Sequence, residues 1–473
     1  MSCQEEKVPT GLFPEAKVCH SSGEQGALPY FLRVREKGAW WAQRCPRTAA
    51  MIQEGVCPDG PCPVLVVRDI PRQVADQKAA LEVLEEYMQE GHVWEIPLHR
   101  QGEAKFLVPW LVLKKVDSSG KENSRLIADC GVLNSYLQTS HFKLDHWQQI
   151  FPVLRKGMWG AKIDLKHAYF HLALSEKIRP YVRMQVGTRQ FQFQAACFGL
   201  APLPQLWMSL MKVFSKKWRG EGIIVFIYLD DILVVSSSKN LLQKQLDGML
   251  LDLSAGGMQI NREKSLLVPS QEVDHLGFHV HLGEGVLQVP PQKLKQVRKE
   301  LGKLITHSSL SHRKMAAILG TVRSFLVALP FLRAFTDEMK CFIDLQGQGG
   351  WDRMHPLPVS LVDQVKEVKD LLQTWQGRQF QARCLIRKLH SDASNVGWGG
   401  LDIQSGTGLQ EFWRQENGLH IIVKELHAAI STVRSLAKKG EQVHLAVDNV
   451  VVYSYLRKTG ERFPNSITCS GPF

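Results

Sequence analysis

Two carboxylates stand where a buried strand should run. The segment Ile223-Ile-Val-Phe-Ile-Tyr-Leu-Asp230-Asp231-Ile-Leu-Val-Val235 sets a pair of acids between two apolar, β-rich runs. Runs apolar on both faces mark strands covered on both sides. Adjacent carboxylates in such a place lose hydration and repel, at a cost of several kcal/mol unless a cation neutralises them. Taken alone, the segment also reads as an ordinary hairpin with a solvated Asp-Asp tip. A third acid closes Lys162-Ile163-Asp164-Leu165, a short strand-like run. If the two strands are neighbours, Asp164 and Asp230 face one cleft. Hard carboxylate oxygens so arranged suit Mg²⁺, which keeps waters and binds substrate phosphates. Two such ions about 3.5–4 Å apart are the apparatus of in-line phosphoryl transfer, one activating the attacking oxygen and one steadying the leaving group.

A second acidic constellation lies downstream. His390-Ser391-Asp392-Ala393-Ser394-Asn395-Val-Gly397-Trp398-Gly399 starts as a strand and runs into a Gly-rich turn. Val423-Lys-Glu425-Leu426 opens a helix with Leu426, Ala429, Val433 and Leu436 on one face. Lys438, Lys439 and Gly440 make a favourable helix end. Val443-His-Leu-Ala-Val447-Asp448-Asn449 is again a strand ending in Asp.

The elements that must position these acids are legible at low resolution. Residues 73–90 read as an amphipathic helix with Val74, Leu81, Leu84 and Met88 at helical spacing and Gly91 as its stop. Val108–Val116 and Arg125–Ala128, flanking the turn cluster at 117–123, predict a hairpin. Leu203–Trp218 predicts a helix with Leu206, Leu210, Phe214 and Trp218 inward and Lys212, Lys216 and Lys217 outward. Residues 292–344 predict two or three basic helices, and residues 346–360 a linker before a new α/β pattern. Residues 1–70 show little periodicity. Cys57-Pro-Asp-Gly-Pro-Cys62 reads as a tight turn, with a metal site as the alternative, although the spacing lacks the second ligand pair of a zinc site.

Composition bounds the partners. The chain has 473 residues, 44% hydrophobic and 22% charged, with a net charge of +12. That apolar fraction is globular rather than disordered. The 10 cysteines, spread over a long chain, exclude a small disulfide scaffold. No apolar run reaches the about 18–20 residues of a membrane span, and no secretory leader is evident, so an intracellular protein is expected, in cytoplasm or nucleus, with no membrane partner. Residues 1–95 carry a net −4, residues 96–385 a net +14 and residues 386–473 a net +2. The positive block suggests a polyanion, although a lysine-rich solvated surface gives the same count.

Tyr228-Leu229-Asp230-Asp231 resembles the YxDD box of reverse transcriptases, and further boxes follow that family's order over residues 95–290. Arg125-Leu-Ile-Ala-Asp129 with Leu133-Asn134 is similar to the fingers segment, and Asp164-Leu-Lys-His-Ala-Tyr169-Phe170 to the first catalytic box. Phe193-Gln-Ala-Ala-Cys-Phe198-Gly199-Leu200 resembles the substrate-binding box, Gly256–Ser265 the next one, and His275-Leu276-Gly277-Phe278 the primer grip. The resemblance implies that Asp164, Asp230 and Asp231 hold two Mg²⁺ ions, with Mn²⁺ as the alternative, and that Asp164 and Asp230 are the bridging pair. It implies that Arg125 and Lys114 or Lys115 pair with a triphosphate, and that Lys264 donates a proton to the leaving pyrophosphate. Tyr169 would exclude a 2′-hydroxyl, Phe198 and Gly199 would line the nucleotide pocket, and Leu276, Gly277 and Phe278 would grip the primer. Three positions depart from the family pattern: Cys197, Gly131 and the Ala201-Pro-Leu-Pro204 run.

Strand-Asp, helix-Glu, strand-Asp resembles ribonuclease H, which implies Asp392, Glu425 and Asp448 as metal ligands. The family's fourth carboxylate and closing helix have no match after Asp448, so a truncated unit of open activity is expected. His141-Phe-Lys-Leu144, the Ser391–Trp398 run and His420–Leu426 resemble the tyrosine-recombinase (DIRS-like) retrotransposons. The implied fold is α+β: an N-terminal extension at 1–94, fingers and palm at 95–285, a basic thumb and connection at 286–385, and a partial ribonuclease H-like α/β domain at 386–473. The implied activity is RNA-directed DNA polymerisation, with RNA template, DNA primer, RNA–DNA hybrid and dNTPs as partners. A co-opted copy that binds nucleic acid without polymerising is the alternative.

Overall fold

The computed structural model describes residues 28–57, 77–116, 122–307, 309–344, 350–375, 377–380, 386–413, 418–438, 442–459 and 467–470. Three short helices come first, α1 (Tyr30–Glu36), α2 (Gly38–Arg44) and α3 (Pro46–Glu54), then α4 (Gln77–Gln89). Strand β1 (Val93–Ile96) and the hairpin β2 (Trp110–Val116) and β3 (Glu122–Ala128) precede two one-turn helices, α5 (Gly131–Asn134) and α6 (Trp147–Ile150). Next are β4 (Trp159–Asp164), β5 (Arg183–Val186), β6 (Arg189–Phe193) and α7 (Leu203–Gly220). Then come β7 (Ile224–Tyr228), β8 (Asp231–Ser236), α8 (Lys239–Ala255), β9 (Leu266–Ser270), β10 (Glu272–His275), β11 (Phe278–His281) and β12 (Val286–Gln288). The helices α9 (Pro291–Thr306), α10 (His312–Ser324), α11 (Asp337–Asp344) and α12 (Val359–Thr374) are interleaved with β13 (Ser309–Ser311) and β14 (Met354–Pro356) and followed by β15 (Arg378–Gln379). The last elements are β16 (Ile386–Ala393), β17 (Gly397–Asp402), β18 (Gly408–Phe412), α13 (Ile421–Leu436), β19 (Gln442–Ala446), α14 (Val450–Thr459) and β20 (Ile467–Ser470). No helix among the described residues is long and apolar enough to cross a membrane.

The chain divides into two units. The first holds residues up to His141 together with 167–209 and 255–258. Its three-stranded sheet runs β1-β6-β5, and β2–β3 form a separate hairpin. The hairpin's strands start earlier on the return side than expected, at Glu122; its tip, 117–121, lies outside the described residues. The buried face of α4 is Ala80, Val83 and Leu84, with Leu81 and Met88 half-buried. The apolar stripe is therefore rotated from the expected one, centred on Ala80, Val83 and Leu84. Val74 and Cys62 lie outside the described residues.

The extension that showed no periodicity is helical. Helices α1 to α3 have seven to nine residues and no side-chain N-cap bond, so they leave only a faint periodic signal. Tertiary contacts hold them. Trp41 is fully buried and its Nε1 donates to the Gly256 carbonyl at 3.2 Å. Gly257 has φ +81°, and a Cβ there would lie 2.7 Å from the Arg33 carbonyl oxygen, so only glycine lets α1 approach.

The second unit holds residues 142–166, 210–254 and 259 onward. Its first sheet runs β7-β8-β4-β9, all antiparallel. Residues 232–236 of β8 are buried throughout, as the double-faced apolar run requires. A second sheet runs β10-β11-β12-β15. The part of α7 from Leu210 on belongs here, and Leu210, Phe214 and Trp218 point inward as expected, with Met211 beside them. Lys217 is not a free outward charge: its Nζ bonds Asp252 at 2.7 Å and Glu221 at 2.8 Å. The basic segment resolves into three helices, α9 to α11, whose Val297, Leu301, Leu304, Met315 and Met339 share one core with Leu361, Val365 and Val368 of α12. The described part of the expected linker, 350–360, is not free, since β14 pairs with β13 through Leu310 and His355; 346–349 lie outside the described residues.

The C-terminal sheet runs β18-β17-β16-β19-β20. Strands β16, β19 and β20 are parallel, and β17 and β18 are antiparallel additions. Helix α13 covers the sheet through Ala429 and Val433 against Leu389, Val443 and Leu445. Strand β20 is unanticipated: four residues of Ile-Thr-Cys-Ser in a Pro- and Gly-bounded tail carry too little pattern, yet they pair with β19 from Val443↔Ile467 to Ala446↔Ser470.

Candidate active site

The polymerase-type acids are set by one hairpin and its neighbour. Tyr228 pairs with Asp231 across β7–β8, leaving Leu229-Asp230 as a two-residue turn. Such turns need positive φ, and Leu229 adopts φ +55° without being glycine or asparagine. Among the described residues three non-glycines have positive φ: His167, Leu229 and Leu276. All three lie in the motifs singled out from the sequence, and strained backbone of this kind gathers at functional turns.

Strand β4 lies beside β8 with Asp164 directly opposite Asp231. Asp230 is next to that pair in the turn, and its carbonyl accepts from Leu165 N at 3.1 Å. The backbone of Asp164 is pinned from the other side. Its N–H donates to Ser265 Oγ at 2.9 Å, and its carbonyl accepts from Asn261 N at 2.8 Å. Burial and the neighbouring Asp230 push the Asp164 carboxyl up from 3.8 to about 6. Burial, with repulsion from Asp231, raises Asp230 as well. Lys264 is exposed and opposes both shifts. The charge of these acids is thus only partly compensated, a donor set of hard oxygens that fits a divalent cation.

Lys162 was not anticipated as part of this cluster. It lies two residues before Asp164, so strand alternation puts both on one face. Its Nζ reaches Asp231 Oδ1 at 2.8 Å. Period two along Lys162-Ile-Asp164 was the available signal.

The segment expected to grip a primer forms the β10–β11 turn, with Leu276 at φ +43° and Gly277 at φ +81°. Gly277 is exposed at the tip, where its carbonyl accepts from Lys293 Nζ of α9 at 3.2 Å. Phe278 turns inward onto Trp147, with ring centres 5.4 Å apart. His275 is buried against the same Trp147, and burial depresses it to about 4, which keeps the imidazole neutral at physiological pH.

The expected nucleotide-pocket residues lie in the first unit. Tyr169 is 7% exposed and its ring meets that of Phe198 at 4.9 Å, while Phe198 is 40% exposed. Gly199 follows with φ +117°, and Asn134 holds its carbonyl through Nδ2 at 2.9 Å. A Cβ at 199 would lie 2.4 Å from the Ala128 carbonyl oxygen. Gly199→Ala is therefore expected to destabilise the protein by about 1–3 kcal/mol. A lowered midpoint in urea denaturation checks it; an unchanged midpoint means that the loop relaxes freely. Arg125 is exposed on β3 opposite Leu113, and the exposed Lys114 pairs with Ser124, so alternation sends Arg125 and Lys114 to opposite faces of the hairpin. The side chain of Lys115 lies outside the described residues. Cys197 is buried, and its thiol, pushed up by its contact with Cys130 and by burial, is a packing group.

A second acidic site stands on the C-terminal sheet. Parallel pairing of His390 with Ala446 brings the ends of β16 and β19 level, so Asp392 and Asp448 lie side by side. Glu425 of α13 is 5% exposed and sits against them. Burial first, then the charges of Asp448 and Asp392, push Glu425 from 4.5 to about 7. Its Oε2 is buried with no hydrogen-bond partner. Among the described residues this is the one His, Cys or acid group of three or more whose ligand atoms all lie within 4.8 Å of one another. No fourth acid joins it among those residues, and Asp164, Asp230 and Asp231 do not close to that distance as a set.

Comparison with known proteins places the fold. Residues 113–280 match the family model described as reverse transcriptase (RNA-dependent DNA polymerase). Polyprotein P3 of Commelina yellow mottle virus is 23% identical over 290 residues, covering 60% of this chain and 14% of its own length. The retrovirus-related Pol polyprotein from transposon gypsy of Drosophila melanogaster is 25% identical over 191 residues, covering 40% of this chain and 18% of its own. The matched region spans less than a fifth of either relative. Among solved structures, the foamy viral protease-reverse transcriptase in complex with RNA/DNA hybrid aligns with TM-score 0.57 at 13% identity, over 95% of this chain and 64% of that one. The same protein in complex with dsDNA aligns with TM-score 0.57 at 14% identity, over 95% and 99%. The fold is thus a polymerase fold followed by a ribonuclease H-like region. The chain carries a reverse transcriptase domain, and retrotransposon Pol polyproteins are among its relatives.

Proposed function

We propose that this chain is an RNA-directed DNA polymerase of a retroelement, extending a DNA primer on RNA and DNA templates with dNTPs. The observation that carries this is the placement of Asp164 and Asp230 at a shared strand end, both raised by burial, with Lys264 in electrostatic reach of both. Reverse transcriptases use divalent metal ions. In this reading two Mg²⁺ ions held by Asp164, Asp230 and Asp231 would supply Lewis acidity at the attacking 3′-oxygen and at the leaving pyrophosphate. The chain's own groups do the rest. Tyr169 and Phe198 shape the sugar pocket, Arg125 neutralises triphosphate from the hairpin face opposite to that of Lys114, and Lys264 gives a proton to pyrophosphate. Leu276, Gly277 and Phe278 hold the primer end. The basic face of α9, with Lys295, Lys299 and Lys303 exposed, follows duplex phosphates without reading sequence.

Asp392, Glu425 and Asp448 form the metal site of a linked ribonuclease H-like unit in the same proposal, supported by their convergence and by the orphaned Glu425 oxygen. The wording of His141–Leu144, Ser391–Trp398 and His420–Leu426 supports a place in the tyrosine-recombinase (DIRS-like) group. The test is primer extension on an RNA template with Mg²⁺. Extension by the wild-type chain and an about 10³-fold loss in Asp230→Asn are expected, since one metal carboxylate supplies several kcal/mol. Full activity in that variant refutes the mechanism. Salt-dependent hybrid binding with no dNTP incorporation decides instead for a co-opted nucleic-acid binder.

A further inference from the structure

The three polymerase acids do not share one environment. Asp164 feels the charges of Asp230 and Asp231, and Asp230 that of Asp231, with Lys264 and Lys162 opposing at a distance, whereas the Asp231 carboxylate is in direct contact with a cation. Lys162 Nζ stands 2.8 Å from Asp231 Oδ1, with the two side chains 20% and 21% exposed. The approach is diagonal: Lys162 pairs with Leu233 and Asp164 with Asp231, so the lysine lies one same-face step below the acid pair. On the other edge of β4, Lys162 pairs with Leu266 of β9, which fixes its strand from both sides. The two acidic sites also differ in spread. Asp392, Glu425 and Asp448 converge within 4.8 Å, and the Asp164, Asp230 and Asp231 set does not.

We propose that Lys162 is a positioning residue that acts through Asp231, an internal counter-ion which a divalent cation must displace before Asp231 joins the metal site. The inference rests on the polymerase reading of these acids. Without metal, the ammonium neutralises one of three crowded carboxylates and stabilises the empty site. With metal, the same carboxylate is wanted by a stronger charge, and the lysine is released toward the solvent that it already partly reaches. Stabilising the empty state lowers metal affinity by the same factor, because the two states are linked. A partly exposed pair this short is worth about tenfold in that equilibrium after solvent screening. The lysine thereby sets the metal concentration at which the site assembles, without touching metal or nucleotide.

The test uses the full chain with Glu425→Gln, so that the second acidic cluster drops out, and Mn²⁺ alone as the probe, with free Mn²⁺ read by electron paramagnetic resonance. Lys162→Met is expected to bind Mn²⁺ about tenfold tighter, and Lys162→Arg, which keeps the charge, to stay within about twofold of the Lys162 protein. Equal or weaker binding in a folded Lys162→Met overturns the proposal. A measurement needing no variant at Lys162 stands beside it: amine acylation at Lys162, read by peptide mass, should rise when Mn²⁺ saturates the site. Unchanged acylation at saturation also overturns the proposal. If no Mn²⁺ binding is lost in Asp230→Asn, the polymerase reading itself fails, and the proposal falls with it. Binding that Asp230→Asn abolishes but Lys162 does not influence sinks only the role of Lys162.

Discussion

Asp164→Asn is expected to cut nucleotide incorporation by about 10³-fold or more while making the metal-free protein more stable at neutral pH. The two effects have one cause. Burial and the Asp230 charge raise the Asp164 carboxyl from 3.8 to about 6. Between those values the folded protein keeps a proton that the unfolded chain has released, so stability falls as pH rises through the window. Below 3.8 both states are protonated and nothing is lost; above about 6 the whole penalty is present. Asparagine keeps the shape of the carboxylate and never ionises. The variant should therefore melt with the wild type near pH 3.5 and above it at pH 7.5, by on the order of a few °C. With Glu425→Gln in both proteins to silence the second acidic cluster, Mg²⁺ should reverse the order by stabilising the Asp164 protein more, since asparagine removes one carboxylate of the site. Melting curves at the two pH values, with chelator and with Mg²⁺, check this. A variant that melts lower than wild type at pH 7.5 in chelator means that Lys264 already satisfies Asp164, and the account of an undercompensated site is then wrong.

This trade between stability and chemistry is what made the site legible from sequence. A charged pair inside Ile223–Val235 contradicts the apolar run around it, and such a contradiction has few physical resolutions. The helices α7 and α9 were legible for the opposite reason, because their periodicity agrees with their burial over many residues. Three features were not legible, each from a different cause. Helices α1 to α3 owe their form to contacts such as Trp41 on Gly256, far away in sequence. Strand β20 has four residues, fewer than an alternating pattern needs. The pair Lys162–Asp231 depends on register, and register comes from the β4–β8 pairing rather than from either segment alone. The acids and Lys264 could be named from the chain; Lys162, which meets Asp231, required the sheet.

The nucleotide pocket gives the second large effect. In the proposed function Tyr169 rejects ribonucleotides by bulk, and the observed packing makes that role demanding. The ring is 7% exposed and braced by Phe198 at 4.9 Å, so it cannot swing aside to admit an extra hydroxyl without disturbing its neighbour. Tyr169→Val removes the ring and leaves an apolar wall. The ratio of kcat/KM for dNTP over rNTP should fall by about 10²-fold, the scale at which a pocket discriminates one hydroxyl by shape. Truncating a buried aromatic also costs about 3–5 kcal/mol of stability, so the folded fraction of the variant will drop. The ratio is immune to that loss, because both nucleotides are used by the same folded molecules. Tyr169→Phe keeps the ring and should keep the selectivity. Single-nucleotide incorporation with matched dNTP and rNTP gives both numbers. An unchanged ratio in Tyr169→Val assigns Tyr169 to core packing and moves sugar selection to another residue.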